Sequence, residues 1–61
     1  MPKELKSYHI NGHHVALMLD SVCSIPFFVV RLDGQESFAG KDRAAAIDAF
    51  DAACKSAMEA R

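Results

Sequence analysis

Three histidines (His9, His13, His14) and two cysteines (Cys23, Cys54) are the side chains of this 61-residue chain best suited to metal ligation or nucleophilic chemistry. A zinc ion wants four ligands, or three and a water. His9 and His14 could face one ion from adjacent strands, with Cys23 as a third ligand. No fourth ligand accompanies them, and neither a CxxC nor an HExxH spacing occurs. A cysteine nucleophile would need a neighbouring base, a third group to orient it and an oxyanion donor at the wall of a cleft. The three glycines are each used by a turn or a helix start, so no glycine-rich phosphate loop is formed. The carboxylates are scattered rather than paired for acid–base work. The expectation is a non-enzymatic protein with no metal and no cofactor.

The elements that must position these residues are legible in the pattern. Asn11-Gly12 between two strand-like runs predicts a type I′ hairpin, because both central residues tolerate positive φ. That register sets Ile10 opposite His13, His9 opposite His14 and Tyr8 opposite Val15. Alternation then places Tyr8, Ile10, Val15, Leu17 and Leu19 on one face, and Ser7, His9, His14, Ala16 and Met18 on the other. Asp20 and Ser21 mark the next break. The run from Val22 to Leu32 is strand-like but holds Pro26, which marks a bulge, an edge position or the start of the strand. Phe27 to Arg31 carries apolar side chains toward both faces, as a central strand does.

Asp33-Gly34 is a further turn before the short strand from Gln35 to Phe38. A two-residue turn would pair Phe38 with Val29, whereas a type I turn with Gly34 in a bulge would pair it with Phe28. The second register is preferred because it gathers Phe28, Val30, Leu32 and Phe38 on one face. From Lys41 to Ala60 the chain is alanine-rich and free of Gly and Pro, which predicts one long helix with Gly40 at its N-cap and Asp42 in its first turn. Ile47, Phe50, Cys54, Ala57 and Met58 form the stripe expected to be buried, with Asp48, Asp51, Lys55 and Glu59 opposite.

Composition bounds the whole. At 51% hydrophobic and 25% charged residues the chain is globular in type, and 61 residues make one core, hence one β-β-β(-β)-α domain over residues 1–61. The expected fold is α+β: a three- or four-stranded antiparallel sheet with one long C-terminal helix packed on one face. No apolar run approaches the roughly 20 residues of a membrane span, and no secretory signal is visible, so a cytoplasmic protein with free cysteines is expected. Seven basic residues face eight acidic ones, a balance without the basic excess of a nucleic-acid binder. One helix covers one side of a sheet. The other side, with Met18, Ile25, Phe27, Val29, His9 and His14, must be exposed or covered by a partner.

Two resemblances follow from these residues. Pro26, Phe28, Val30, Leu32, Asp33, Gly34, Phe38 and Gly40 before an alanine-rich helix are similar to the second half of a double-stranded-RNA-binding domain. That resemblance implies phosphate contacts from Lys41 and Arg43. The family's first helix is missing, however, and the helix start reads Lys41, Asp42, Arg43, Ala44, Ala45 in place of KKxAK, so direct nucleic-acid binding is not the primary expectation. In profile, a tiny chain with no catalytic signature and a spare apolar face resembles the small phage-encoded anti-CRISPR inhibitors of type I complexes. This second resemblance implies a protein partner such as a CRISPR effector complex, blocked sterically. Met18, Phe27 and Val29 would anchor the contact, and Asp33, Glu36, Asp42, Asp48, Asp51 and Glu59 would complement a basic groove. A self-associating protein, a homodimer closed through Phe27 and Val29, is the remaining alternative.

Overall fold

The computed structural model describes residues 3–59, apart from the Val22 side chain. It comprises β1 (Lys3–Ile10), β2 (His13–Val22), β3 (Ile25–Leu32), β4 (Gln35–Gly40) and α1 (Arg43–Glu59). The strands form an antiparallel meander in the order β1-β2-β3-β4, with α1 across one face. The α+β fold with a single C-terminal helix is therefore as expected, and the sheet has four strands. The predicted helix end at Ala60 lies outside the described residues.

The first hairpin follows its predicted register: Ile10 pairs with His13, His9 with His14 and Tyr8 with Val15, around Asn11 at φ 51° and Gly12 at φ 79°. The break expected at Asp20 and Ser21 does not occur. β2 runs on to Val22, and the turn is Cys23-Ser24, at φ 53° and 66°. Two L-residues in the left-handed region are unusual, so no local propensity announces this turn. Pro26 takes the edge position among its three alternatives. Val22 and Ile25 close the two-residue turn and exchange backbone hydrogen bonds, so in the next pair, Ser21 with Pro26, both backbone nitrogens point outward. On that side β4 has already ended, at Gly40 opposite Phe28.

The third turn corrects the preferred register. Asp33 (φ 54°) and Gly34 (φ 81°) form a plain two-residue turn, with Leu32 opposite Gln35 and Arg31 opposite Glu36. The irregularity falls one step later, between Val30 and Arg31 on the β3 side, and it returns Phe38 to Val30. Phe28, Val30, Leu32 and Phe38 thus share the helix-facing side as expected, with the extra residue on β4 instead of in the turn.

The core consists of Val15, Leu17 and Val30 from the sheet against Ala46, Phe50, Ala53, Cys54 and Ala57 from the helix, flanked by Ile10, Phe28, Leu32, Phe38 and Ala49. The predicted stripe is right at Phe50, Cys54 and Ala57 and wrong at its large flanking members: Ile47 is 40% exposed and Met58 60%. Ala46 and Ala53 take the central places because a helix lying close to a sheet has room there for methyl groups only. Gly40 does not cap the helix. A Cβ on it would meet the Phe38 ring at 3.1 Å, so its lack of a side chain lets that ring lie over it. The cap is Asp42, whose Oδ1 accepts the N–H groups of Ala44 (3.0 Å) and Ala45 (3.4 Å). At the other end Asn11 Nδ2 donates to the carbonyls of Ala57 (3.2 Å) and Met58 (3.0 Å), tying the helix C-terminus to the first hairpin.

Candidate protein-docking face

With the helix on one side, strand alternation assigns the other. Glu4, Ser7 and His9 of β1, His14, Ala16, Met18 and Asp20 of β2, Ile25, Phe27, Val29 and Arg31 of β3, and Glu36 and Ala39 of β4 share the open face by register. Its apolar centre is the row Met18–Val29–Ala39, continued by Phe27 and Ile25 toward the Cys23-Ser24 turn. An open groove of about 470 Å³ lies at that end, lined by Cys23, Ile25, Phe27, Ala39, Gly40 and Lys41.

Not every expected anchor is available. Val29 is only 5% exposed, although no helix lies over it. It is a small side chain between Met18 and Ala39 across the sheet and between Phe27 and Arg31 along it, and those neighbours close around it. Its placement as an exposed anchor is corrected: Val29 is the floor of the face. Phe27 and Met18 are half-buried. Ile25, 47% exposed, is the most accessible large apolar group on this side among the described residues. Its alternation with Phe27 placed it on the face in the sequence, but proximity to Pro26 and an uncertain strand start hid its prominence.

The six acids expected to join those anchors do not form one surface. Asp33 is engaged within the fold: its Oδ2 lies 2.6 Å from His13 Nδ1, and its Oδ1 accepts the His14 N–H at 3.0 Å. Asp42 caps the helix. Asp48 and Glu59 are exposed on the helix side that faces away from the sheet, nearly half a helical turn from Phe50, and Asp51 is exposed on the helix flank, about a quarter turn from Phe50. Only Glu36 shares the open face, beside Arg31. A flat partner touching Phe27 therefore cannot touch Asp48 and Asp51 as well.

The histidines are divided in the same way. His9 and His14 stack with ring centroids 4.7 Å apart and 16° between planes, on the open face. His13 points into the clasp with Asp33 that joins the first and third turns, a role sequence spacing could not reveal because it depends on β2–β3 pairing. Among the described residues no three of His, Cys, Asp and Glu come together in a way that could hold a metal ion.

The His13 contact, followed by the His14 N–H bond, holds the Asp33 carboxyl below the ordinary aspartate range. The folded state thus binds the Asp33 proton less readily than the unfolded state. The clasp stabilises the fold fully above the unfolded value near pH ~3.9 and is lost as pH falls through the lower folded value. Denaturant unfolding of wild type and Asp33→Asn should show a stability difference that is level above about pH 5 and shrinks toward pH 2. A difference that grows on acidification would contradict the clasp.

Both cysteines are free. Cys23 is exposed at the groove rim, while Cys54 is buried against the sheet, its thiol pushed up first by burial and then by the neighbouring Asp51 carboxylate. A maleimide should label Cys23 in the native protein and reach Cys54 only after unfolding, as peptide mass spectrometry would show; equal native labelling would mean that the helix is not seated.

A second, smaller cavity of about 190 Å³ opens on the helix side, between Leu5, Lys6, Leu17, Phe28, Arg43 and Ile47. Leu5 reaches it from the bulge between Glu4 and Lys6, which the sequence pattern did not disclose. No helix among the described residues is long and apolar enough to cross a membrane. No protein-family model, curated protein or solved structure matches the chain.

Proposed function

We propose that the chain is a non-enzymatic protein-binding module that docks through the open face of its sheet. The observation that carries this reading is the apolar groove around Ile25 and Phe27, on the face that no element among the described residues covers. Large apolar groups left accessible beside a buried apolar floor are what a protein interface uses at its centre. Arg31, Glu36, Asp20 and Lys41 supply a mixed polar rim, suited to a protein surface and not to a phosphate backbone.

The finer form of the reading is steric inhibition of a nucleic-acid-processing complex. In it, the outward helix carboxylates Asp48, Asp51 and Glu59 meet a basic surface on the side opposite the docking face. Charge complementarity of that kind acts chiefly on association rate and weakens with salt.

The test is retention of protein by the immobilised chain from an extract of cells that express it, followed by identification of the retained polypeptide. Wild type should retain a polypeptide, whether further copies of itself or another protein, and Ile25→Lys should lose it. Joint reversal of Asp48 and Asp51 to Lys should leave contact through the sheet intact and impair only inhibition of a basic target. Retention unaffected by Ile25→Lys would refute the docking face. A gel shift with duplex RNA that Lys41→Ala and Arg43→Ala abolish would replace the reading with nucleic-acid binding.

A further inference from the structure

We infer that the occupant of the open face is a second copy of this chain, packed sheet to sheet about a two-fold axis. The inference rests on the docking reading above and adds the partner's identity. Its warrant is the arrangement of charge around the apolar row. Arg31 sits two residues from Val29 and Glu36 three from Ala39 across the β4 bulge, both toward the third turn; Asp20 sits two residues from Met18 and Lys41 two from Ala39, toward the Cys23-Ser24 turn. Each end carries one cation and one anion.

A two-fold axis lying between the faces, perpendicular to the strands and through the row Met18–Val29–Ala39, reverses one copy end for end. It stacks that row on itself and brings Glu36 against the second copy's Lys41. Arg31 then lies over the second copy's Phe27, with its Asp20 adjacent, which gives the guanidinium both a ring face and a carboxylate. Every such contact occurs twice, as in any isologous interface. Glu4 would approach its counterpart at the β1 edge. There the twist between packed sheets spreads the strands apart, and its carboxylate already accepts the Ser7 hydroxyl at 2.8 Å. The net charge of -1 opposes the pairing little.

Area sets the strength. Four strands about 4.8 Å apart and some eight residues long present roughly 500 Å² per copy. The pair therefore buries on the order of 1,000 Å², the lower limit for a specific interface. A reversible dimer with a dissociation constant on the order of 10 µM is expected.

Sedimentation equilibrium from low to high micromolar protein provides the measurement. Wild type should pass from monomer to dimer across that range. Glu36→Lys and Lys41→Glu, both at exposed positions, should each weaken pairing about tenfold or more by setting like charges together. The double variant Glu36→Lys with Lys41→Glu should recover most of the loss, and circular dichroism should show all three folded. A monomer at the highest concentration, or a double variant no better than the singles, overturns the pairing. If a different polypeptide occupies the face in the retention experiment, the dimer falls while the docking face stands; if nothing does, both fall.

Discussion

Phe50→Ala should remove about half or more of the chain's folding stability. Phe50 is 4% exposed, sits at the centre of the helix–sheet contact and has the Tyr8 ring 5.7 Å away, tilted by 42°. Truncating a buried phenylalanine costs about 3–5 kcal/mol, from lost transfer energy and the cavity left behind. A domain of this length holds only about 3–9 kcal/mol in total. The other helix residues in the core are alanines and one cysteine, so no large neighbour can move in to refill the space. Thermal melts followed by circular dichroism should show a midpoint lower by about 20 °C or more, or no cooperative transition. A shift under about 5 °C would mean that the helix is held to the sheet by something other than Phe50.

Ile25→Lys should have the reverse profile, with the fold retained and docking lost. Ile25 is already 47% exposed and lies at the first position of β3, so the substitution removes little buried area and breaks no core contact. Its stability cost should stay within about 1 kcal/mol. At the interface the same change places an ammonium in an apolar groove that a partner must desolvate. Losing the isoleucine contact and desolvating an ammonium in its place should together cost about 2 kcal/mol or more, a loss of roughly thirtyfold or greater in affinity. A melt within a few degrees of wild type together with abolished association is the expected combination. Unchanged association would place the interface elsewhere, and the exposed helix-side groups Leu5, Ile47 and Met58 would be the next surface to test.

How far these conclusions were legible in the sequence differs from element to element. The first hairpin was legible near its turn, though not at the Glu4–Lys6 bulge, because Asn-Gly fixes the turn and the turn fixes which face His9 and Met18 share. The uncovered face followed from counting one helix against a sheet with apolar residues on both sides. The Cys23-Ser24 turn was hidden because neither residue favours positive φ; tertiary pairing imposes the conformation. The β4 bulge was hidden for a related reason. Its position is set by Phe38 seeking the helix side and lying over Gly40, not by anything local to Asp33-Gly34. On the helix, periodicity gave the correct side to within a fraction of a turn. Hydrophobicity then favoured Ile47 and Met58 over Ala46 and Ala53, whereas close packing selected by size.

For the candidate site the lesson is sharper. Sequence grouped Phe27 with Asp48 and Asp51 because all looked available, and only the layer order separates them onto opposite sides of the molecule. Asp33 and Asp42 were both grouped with the partner-binding acids, and both are engaged in holding the fold, Asp33 across two turns and Asp42 as the cap of the helix whose first turn it was expected to occupy.

The measurement that bears most directly on the docking face is NMR mapping of the associated state against the dilute monomer. Shift changes and loss of solvent accessibility should concentrate on Met18, Ile25, Phe27 and Ala39, while the amides of Asp48, Asp51 and Lys55 remain as they were. Changes that run along the outward helix, with Ile25 and Phe27 unaltered, would contradict the claim that this protein works through the uncovered side of its sheet.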